Sequence, residues 1–234
     1  MTRRWRTFAA LVPLAALAML AGCATGPAAG RGPEPGALPK FHVGGDTVLV
    51  APFHSSARQY TDLEAFVAAA PIVVTGKVVA ADDTAYEVLP DPDAEGVLPG
   101  EGPDIVGSIT FAVTGTVKGP FSQKQIEIVY ESGKRETSDR RIAYSHEGLA
   151  PFQTASGRVR GADALAGREF VIFARPNTVF PVRAGAYVLA HPLGIASLAS
   201  GGSVRFNQPG ARPFGPAAAG PFSLTLKQVR AAAR

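Results

Sequence analysis

The alternation of apolar and polar residues is most regular between Ser108 and Val117. Ile109, Phe111 and Val113 are separated by single residues that are small or carry a hydroxyl group. Val117 continues the same phase. Period-two alternation places all the large side chains on one side of a pleated strand. The pattern predicts a β-strand whose inner face carries these apolar residues, Val117 included.

Two other stretches, residues 72–79 and 125–131, have the same period and predict strands that share this buried face. Their in-phase apolar residues are Ile72, Val74 and Val78 in the first stretch and Ile126, Ile128 and Tyr130 in the second. Gly76 and Gly115 fall on the inner face in mid-strand, where glycine permits the sharp bend or bulge that a closed barrel needs. A local requirement for a small residue is the alternative.

Helices are predicted before the first long strand and at the C-terminus. Thr61 and Glu64 have the spacing of a capping box, which predicts a helix over residues 62–70. Ser223 is the predicted cap of a second short helix over residues 224–233. The remaining predicted strands are residues 47–50, as an edge strand, and residues 170–174, 186–190, 194–198 and 203–206.

These elements predict a mainly β chain. Glycines in the middle of strands suit a strongly curved sheet. We expect a small, closed or partly open, OB-like antiparallel β-barrel, with one short helix before the first long strand and a short C-terminal helix.

The succession of apolar strands around a Lys-Gly turn resembles a known barrel family. The stretches that carry the resemblance are Thr75–Val78, Thr110–Gly119 and Gly167–Phe173. They resemble the OB-like, TIMP/netrin-like barrel of many secreted bacterial proteins, over about residues 70–206. In the animal inhibitors that share this barrel, a free N-terminal cysteine chelates a protease zinc. That activity is not carried over, because the family's disulfides are absent and the single cysteine, Cys23, lies outside the barrel.

The N-terminus has the organisation of an export signal. Three arginines within the first six residues precede an apolar run from Phe8 to Ala21, which is shorter than the roughly 20 residues that a membrane-spanning helix needs. Residues 20–23, Leu-Ala-Gly-Cys, resemble the lipobox of bacterial lipoproteins, whose signal peptidase cuts before the cysteine and whose cysteine thiol carries a diacylglycerol. The resemblance implies lipid attachment at Cys23 and a location at the outer face of the cell membrane, or of the outer membrane if the source has one. An ordinary signal with an incidental cysteine is the alternative.

Composition divides the chain into four segments. They are a signal peptide at residues 1–22, a flexible Gly/Pro/Ala tether at residues 23–40, the barrel at residues 41–206, and a Pro/Gly linker with a basic helix at residues 207–234. Removal of the signal leaves 20 Lys and Arg residues against 19 Asp and Glu residues. We therefore expect a membrane contact through the lipid on Cys23 and no nucleic-acid partner, because an exported and nearly neutral chain lacks the charge to bind one.

Two long polar segments interrupt the predicted strands. Residues 82–104 contain eight acidic residues and no Lys or Arg, and Asp91–Gly96 resembles the opening of a calcium loop. The twelfth loop position is Gly102 instead of Glu, which favours a solvated hairpin loop. Residues 132–166 are predicted either to be disordered or to form a short covering strand at residues 142–144. Deletion of residues 133–161 is expected to abolish partner binding and to leave the barrel folded.

Motifs for nucleophilic hydrolysis, phosphate binding and zinc ligation are absent from the sequence, so no catalytic, cofactor-binding or metal-ligating residue is assigned. The four histidines are widely spaced, at His42, His54, His146 and His191. We expect a non-catalytic barrel module that binds a protein, peptide or glycan partner in the cell envelope. The alternatives are an envelope hydrolase that combines distant residues such as Asp104, His146 and Glu169, and a passive structural lipoprotein. Histidines or acids that converge in one cleft would favour the enzyme, and an exposed apolar patch would favour binding.

Overall fold

The computed structural model of the chain describes residues 38–53, 59–88, 103–137, 139–206, 214–215 and 224–234. Its strands are β1 (Lys40–Val43), β2 (Asp46–Phe53), β3 (Ile72–Val88), β4 (Asp104–Lys118), β5 (Gln125–Thr137), β6 (Arg140–His146), β7 (Glu169–Pro176), β8 (Tyr187–Leu189), β9 (Ile195–Leu198), β10 (Ser203–Phe206) and β11 (Leu224–Thr225). Its helices are α1 (Leu63–Ala68) and α2 (Leu226–Ala232), and 3-10 turns occupy Glu147–Phe152 and Ala162–Leu165. The fold is therefore mainly β, and the two predicted helices are confirmed.

Five strands close into a barrel. β4 pairs antiparallel with both β3 and β5, and β3 pairs antiparallel with β7. β8 pairs with β7 and, through the parallel pair Ile128 and Tyr187, with β5. This last pairing joins the two ends of the sheet, so the predicted barrel is closed, and its closing contact is parallel.

The barrel interior is filled by the apolar residues whose alternation predicts the strands. Ile109 and Phe111 of β4 are fully buried, as are Ile126 and Ile128 of β5. They form one cluster with the inner residues of β3 and with Phe170 and Ile172 of β7. The predicted inner faces of β3 and β5 are confirmed, because a regular strand keeps its phase along its length.

The phase of β4 changes after Val113. Gly76 of β3 lies opposite Val113, whereas Thr75 lies opposite Gly115, so Thr114 is an extra residue on β4. Such a bulge turns the side chains that follow it to the other face. The reversal extends to Val117, where a second register shift places Lys118 opposite Val73. Gly115 therefore shares the outer face with Thr75, and a Cβ atom on Gly115 would lie 3.1 Å from Thr75 Oγ1.

Two of the inner-face predictions are consequently wrong. Gly115 is on the outer face, and Val117 packs against the cluster outside the barrel. The bulge at Thr114 is the physical reason, since it reverses the inward and outward alternation that the sequence continues through Val117. Gly76 does lie on the inner face, where an added Cβ would be only 2.9 Å from the Ala112 carbonyl oxygen.

A second apolar cluster lies on the outside of β3 and β7. Phe66 of α1 packs against Phe173 of β7 with ring centroids 4.7 Å apart. Val229 of α2 and Val204 of β10 are buried in the same cluster. The described residues all belong to one compact unit, Leu38–Arg234, so α2 is part of the same folded body as the barrel.

The helix caps differ in position from the prediction. The cap of α1 is Asp62, whose Oδ1 accepts a hydrogen bond of 2.7 Å from the Ala65 amide, while the Thr61 hydroxyl donates to Asp62. In α2 the cap is Thr225, which forms a complete capping box with Gln228. At α1, the Asp62 carboxylate takes the place predicted for the Thr61 hydroxyl because a carboxylate is the stronger hydrogen-bond acceptor.

The strand predicted at residues 47–50 is not an edge strand. β2 is longer, and it lies between β1 and β6 in the sheet. β1 forms a hairpin with β2, and β6 pairs with β2 in parallel. The edge is β1, whose short and mostly exposed sequence Lys40–Val43 has no apolar alternation long enough to be recognised.

The segment at residues 132–166 contributes to the core. It begins with the last part of β5, continues into β6 and ends in the two 3-10 turns. Leu149, Phe152 and Leu165 are fully buried in the barrel cluster. The predicted covering strand is confirmed as the longer strand β6. The burial of Leu149 and Phe152 opposes the expectation that residues 133–161 can be deleted without unfolding the barrel.

Some predictions fall on parts of the chain that lie outside the described residues. These are the signal with Cys23, most of the tether, the calcium-like stretch Asp91–Gly96, the linker at residues 207–213, His54 and Ser223. Within the described part, no helix is long and apolar enough to cross a membrane.

Candidate functional site

An open groove of about 850 Å³ runs along the outer side of the sheet beside β7, β9 and β10. Cross-strand pairing sets its floor, because Glu169 of β7 lies between Lys77 of β3 and Leu198 of β9. Residues in one row across neighbouring strands face the same side of a sheet. The row therefore points outward, away from the barrel core.

Three cations surround this groove. Lys77, Arg168 and Arg205 line it, and all three are exposed. Within the described part of the chain, none of them forms an ion pair. The Arg168 guanidinium lies 5.6 Å from the centroid of the Phe170 ring, a cation–π distance that holds it near the start of β7. We call this cavity the basic groove.

The carboxylate in the basic groove belongs to Glu169. Its Oε1 accepts a hydrogen bond from the Thr114 hydroxyl, and Thr114 Oγ1 is also 2.9 Å from Thr75 Oγ1. Glu169 is thus tied to the bulge of β4, although Lys77 is its cross-strand partner. The cations outnumber this acid, so the groove has an excess of positive charge.

The walls of the basic groove combine apolar side chains with open backbone. Leu198, Phe206 and Leu226 provide the apolar surface. The β9–β10 turn contains Gly201 and Gly202, whose φ angles of +85° and +81° are in the left-handed region that glycine adopts readily. A Cβ atom added at either glycine would meet no described atom within 4 Å, so the rim has room for an extended ligand. The Gly202 amide and carbonyl are themselves hydrogen-bonded to Ala199 and Leu226.

Comparison with protein-family models, with curated proteins and with solved structures gives no match for this chain. The candidate sites therefore rest on the geometry of the described residues.

Two of the four histidines, His146 and His191, line a second cavity of about 340 Å³ together with Glu131. His191 directs its ring into the outer cluster, 5.7 Å from Phe66, and its Nδ1 accepts a hydrogen bond of 3.0 Å from the Leu193 amide. This geometry is that of a packed core histidine. We call the cavity the His146 cavity, because His146 is its other histidine.

His146 is held by two neighbours. Its Nε2 contacts the Glu131 carbonyl oxygen, which can only accept, so Nε2 carries the hydrogen atom. Its ring packs edge to face on Tyr130, with centroids 5.7 Å apart. Burial lowers the pKa of His146, whereas burial and, secondarily, the nearby charge of Asp104 raise the pKa of the Glu131 carboxyl.

The three residues of the predicted alternative enzyme site are not brought into one cavity. Glu169 lines the basic groove and His146 lines its own cavity. Asp104 pairs with Lys134 at 3.8 Å. Among the described residues, no group of three His, Cys, Asp or Glu side chains is arranged to hold a metal ion. His42 is exposed on β1.

The cations of the basic groove were not recognised from sequence. Lys77, Arg168 and Arg205 are far apart along the chain and come from three different strands or strand ends. The local signal is weak, because each is a single basic residue in an apolar strand or beside a glycine turn. Only the order of strands in the sheet reveals that they share one surface.

Proposed function

We propose that the chain is an exported, lipid-anchored protein of the cell envelope whose barrel binds an acidic peptide segment of a partner protein in the basic groove. Support for export and for the anchor comes from the apolar signal and from the lipobox that ends at Cys23. Support for binding comes from one observation above all: Lys77, Arg168 and Arg205 surround a partly apolar groove and form no ion pair with any described residue.

The chemistry of the groove favours an acidic peptide over an anionic glycan. A peptide can place carboxylates against the cations and apolar side chains against Leu198, Phe206 and Leu226. Large apolar side chains exposed elsewhere are Val79 and Val179 in the described part of the chain. Recognition that depends on a large apolar patch is therefore less well supported than recognition by charge.

The groove chemistry also favours contact over catalysis. Among the described residues that line it there is no histidine or cysteine, and Glu169 is engaged by Thr114. General acid–base catalysis needs a group placed beside the reacting atoms with a partner that tunes it. The hydrolase alternative would use the His146 cavity, where His146 and His191 converge as that alternative expects. Both rings are already engaged there, since the Nε2 hydrogen of His146 is directed to the Glu131 carbonyl oxygen and Nδ1 of His191 accepts from the Leu193 amide.

Binding of a labelled peptide that combines Glu and Leu residues tests this proposal. The full exported chain, purified in detergent, is compared with the double variant Arg168→Gln, Arg205→Gln. Exposed ion pairs contribute roughly 0.2–1 kcal/mol each, so the variant should bind about two- to thirtyfold more weakly. Binding to the unmodified chain should also weaken as salt is added.

The control is the double variant Arg175→Gln, Arg230→Gln, which removes two exposed arginines that do not line the groove. Equal loss in both double variants would contradict the groove as the binding site. Tighter binding of a uronic-acid polymer than of the peptide would identify a glycan partner instead. Turnover of an envelope substrate that His146→Ala abolishes, without unfolding the chain, would support the hydrolase alternative.

A further inference from the structure

A second concentration of positive charge lies where the β1–β2 turn meets the β5–β6 hairpin. Arg135, Arg141 and Arg158 line a pocket of about 230 Å³ there. The remaining lining residues are Val43, Gly44, Asp46, Val48 and Ile105. We call this cavity the arginine pocket; it shares no lining residue with the basic groove.

The sheet places two of these arginines side by side. Arg135 of β5 and Arg141 of β6 are direct cross-strand partners. Like charges in that position repel each other and destabilise a sheet. The loop after the first 3-10 turn adds Arg158 to the same pocket. The fold therefore clusters three positive charges, although their mutual repulsion lowers the stability of the folded chain.

The nearby carboxylates compensate two of the three arginines. Asp83, which is buried, accepts from Arg158 Nε at 3.3 Å and from the Val159 amide at 3.2 Å. Asp46 lies 4.0 Å from Arg135. Both acids are thus directed to a partner other than Arg141.

Among the described residues, the hydrogen-bond partners of Arg141 are neutral and distant. Its Nη2 is 3.4 Å from the Asp83 carbonyl oxygen and 3.4 Å from Ser132 Oγ. Its buried Nε has no hydrogen-bond partner within the part of the chain that the structure describes. Burial lowers the pKa of Arg141, and the neighbouring charges of Arg158 and Arg135 act in the same direction, against the charge of Asp83.

A half-buried guanidinium with an unused N–H group is costly unless an anion reaches it. Guanidinium groups bind phosphate oxygens through two parallel N–H contacts, and phosphate groups are commonly recognised by clustered arginines. A pocket of about 230 Å³ has room for one phosphate group and a few waters.

We propose that the arginine pocket binds a phosphate group, with Arg141 as its principal contact and Arg135 and Arg158 on either side. The bound phosphate adds negative charge beside Arg141, because the described carboxylates of Asp83 and Asp46 contact Arg158 and Arg135 instead. The group is either free inorganic phosphate or the phosphate of a monoester, and the two sources share the same chemistry at the pocket.

Calorimetric titration of the full chain tests this site, with inorganic phosphate and glycerol phosphate as separate probes and chloride added to keep the ionic strength constant. We expect saturable binding that raises the melting temperature, because a ligand specific for the folded state stabilises it. Tighter binding of inorganic phosphate would identify the free ion as the natural source, and tighter binding of glycerol phosphate would identify a monoester; either supports the site.

Two substitutions at Arg141 keep the test informative. Arg141→Gln removes the charge, and Arg141→Lys keeps the charge while losing the planar fork, so each should weaken phosphate binding at least about tenfold. Asp46→Asn should strengthen binding severalfold, because it removes a competing carboxylate. Arg140→Gln, which replaces the exposed neighbour that pairs with Glu136, should leave the affinity unchanged.

The outcome is separable from that of the peptide experiment. The groove variant Arg168→Gln, Arg205→Gln should bind phosphate as well as the unmodified chain does. Absence of saturable binding at matched ionic strength would overturn the proposal. So would an unchanged affinity in a folded Arg141→Lys variant.

Discussion

At the scale of single residues, His146 and Glu131 have opposite effects on stability as the pH changes. The neutral imidazole of His146 is favoured by burial, which lowers its pKa from the usual 6.5. Burial also favours the protonated carboxyl of Glu131, which raises its pKa from the usual 4.5. Both groups lie beside the same cavity. Proton binding to His146 favours the unfolded chain, whereas proton binding to Glu131 favours the folded chain.

The first prediction concerns this linkage. Below pH 6.5 the unfolded chain binds a proton at His146 that the folded chain binds only at lower pH, so the free energy of unfolding should fall as the pH falls. For Glu131 the sign is reversed, since its contribution is complete below pH 4.5 and is lost as the pH rises through its raised pKa. Urea unfolding at a series of pH values measures both effects.

His146→Gln can still donate to the Glu131 carbonyl but does not titrate. We expect it to remove the loss of stability below pH 6.5, while Glu131→Gln should stabilise the chain at neutral pH. His42→Gln, at an exposed position on β1, is the matched control. An unchanged pH profile in His146→Gln would show that the imidazole is not the group responsible.

At the scale of elements, the segment at residues 132–166 contributes buried side chains to the barrel interior. Phe152 lies 4.7 Å from Phe170 and 6.0 Å from Phe111, measured between ring centroids. Aromatic pairs in these arrangements add to the free energy gained from burial. Although this segment is polar on average, Phe152 fixes it to the barrel core through apolar contacts.

The second prediction is that Phe152→Ala lowers the free energy of unfolding by about 3–5 kcal/mol, because it leaves a cavity among buried rings. Ala155→Ser, at an exposed position in the following turn, should change it by less than about 0.5 kcal/mol. Thermal or urea unfolding decides between the outcomes. A small effect of Phe152→Ala would mean that the turn packs on the barrel without stabilising it.

At the scale of the whole molecule, the cysteine content decides what can stabilise the fold. Cys23 is the single cysteine of the chain, so no intrachain disulfide can form. Stability has to come from burial in the apolar clusters of the described body, chiefly the one inside the barrel and the one between the sheet and the helices.

The third prediction is that Cys23→Ser prevents lipid attachment and leaves unprocessed precursor, because in the proposed anchor the Cys23 thiol is the acceptor of the lipid. Membrane fractionation and the mass of the purified chain measure the result. Thr25→Ser, two residues further along, should be processed normally. Normal processing and membrane retention of the Cys23→Ser variant would contradict the anchor.

The sequence by itself determined the class of the fold. Period-two alternation is a property of neighbouring residues, so the inner faces of β3 and β5 and the start of β4 could be read from local order. The two helices could also be predicted from local sequence, since capping residues act within one turn. The cap of α1 was predicted one position too early, at Thr61 instead of Asp62.

Only the tertiary structure decided the remaining features. The bulge at Thr114 depends on which residue of β3 faces which residue of β4, and barrel closure depends on the contact of Ile128 with Tyr187. The basic groove and the arginine pocket likewise join residues from strands that are distant in sequence. Charged side chains have no periodic signal of their own, so their convergence follows from the strand order, which is fixed by long-range pairing.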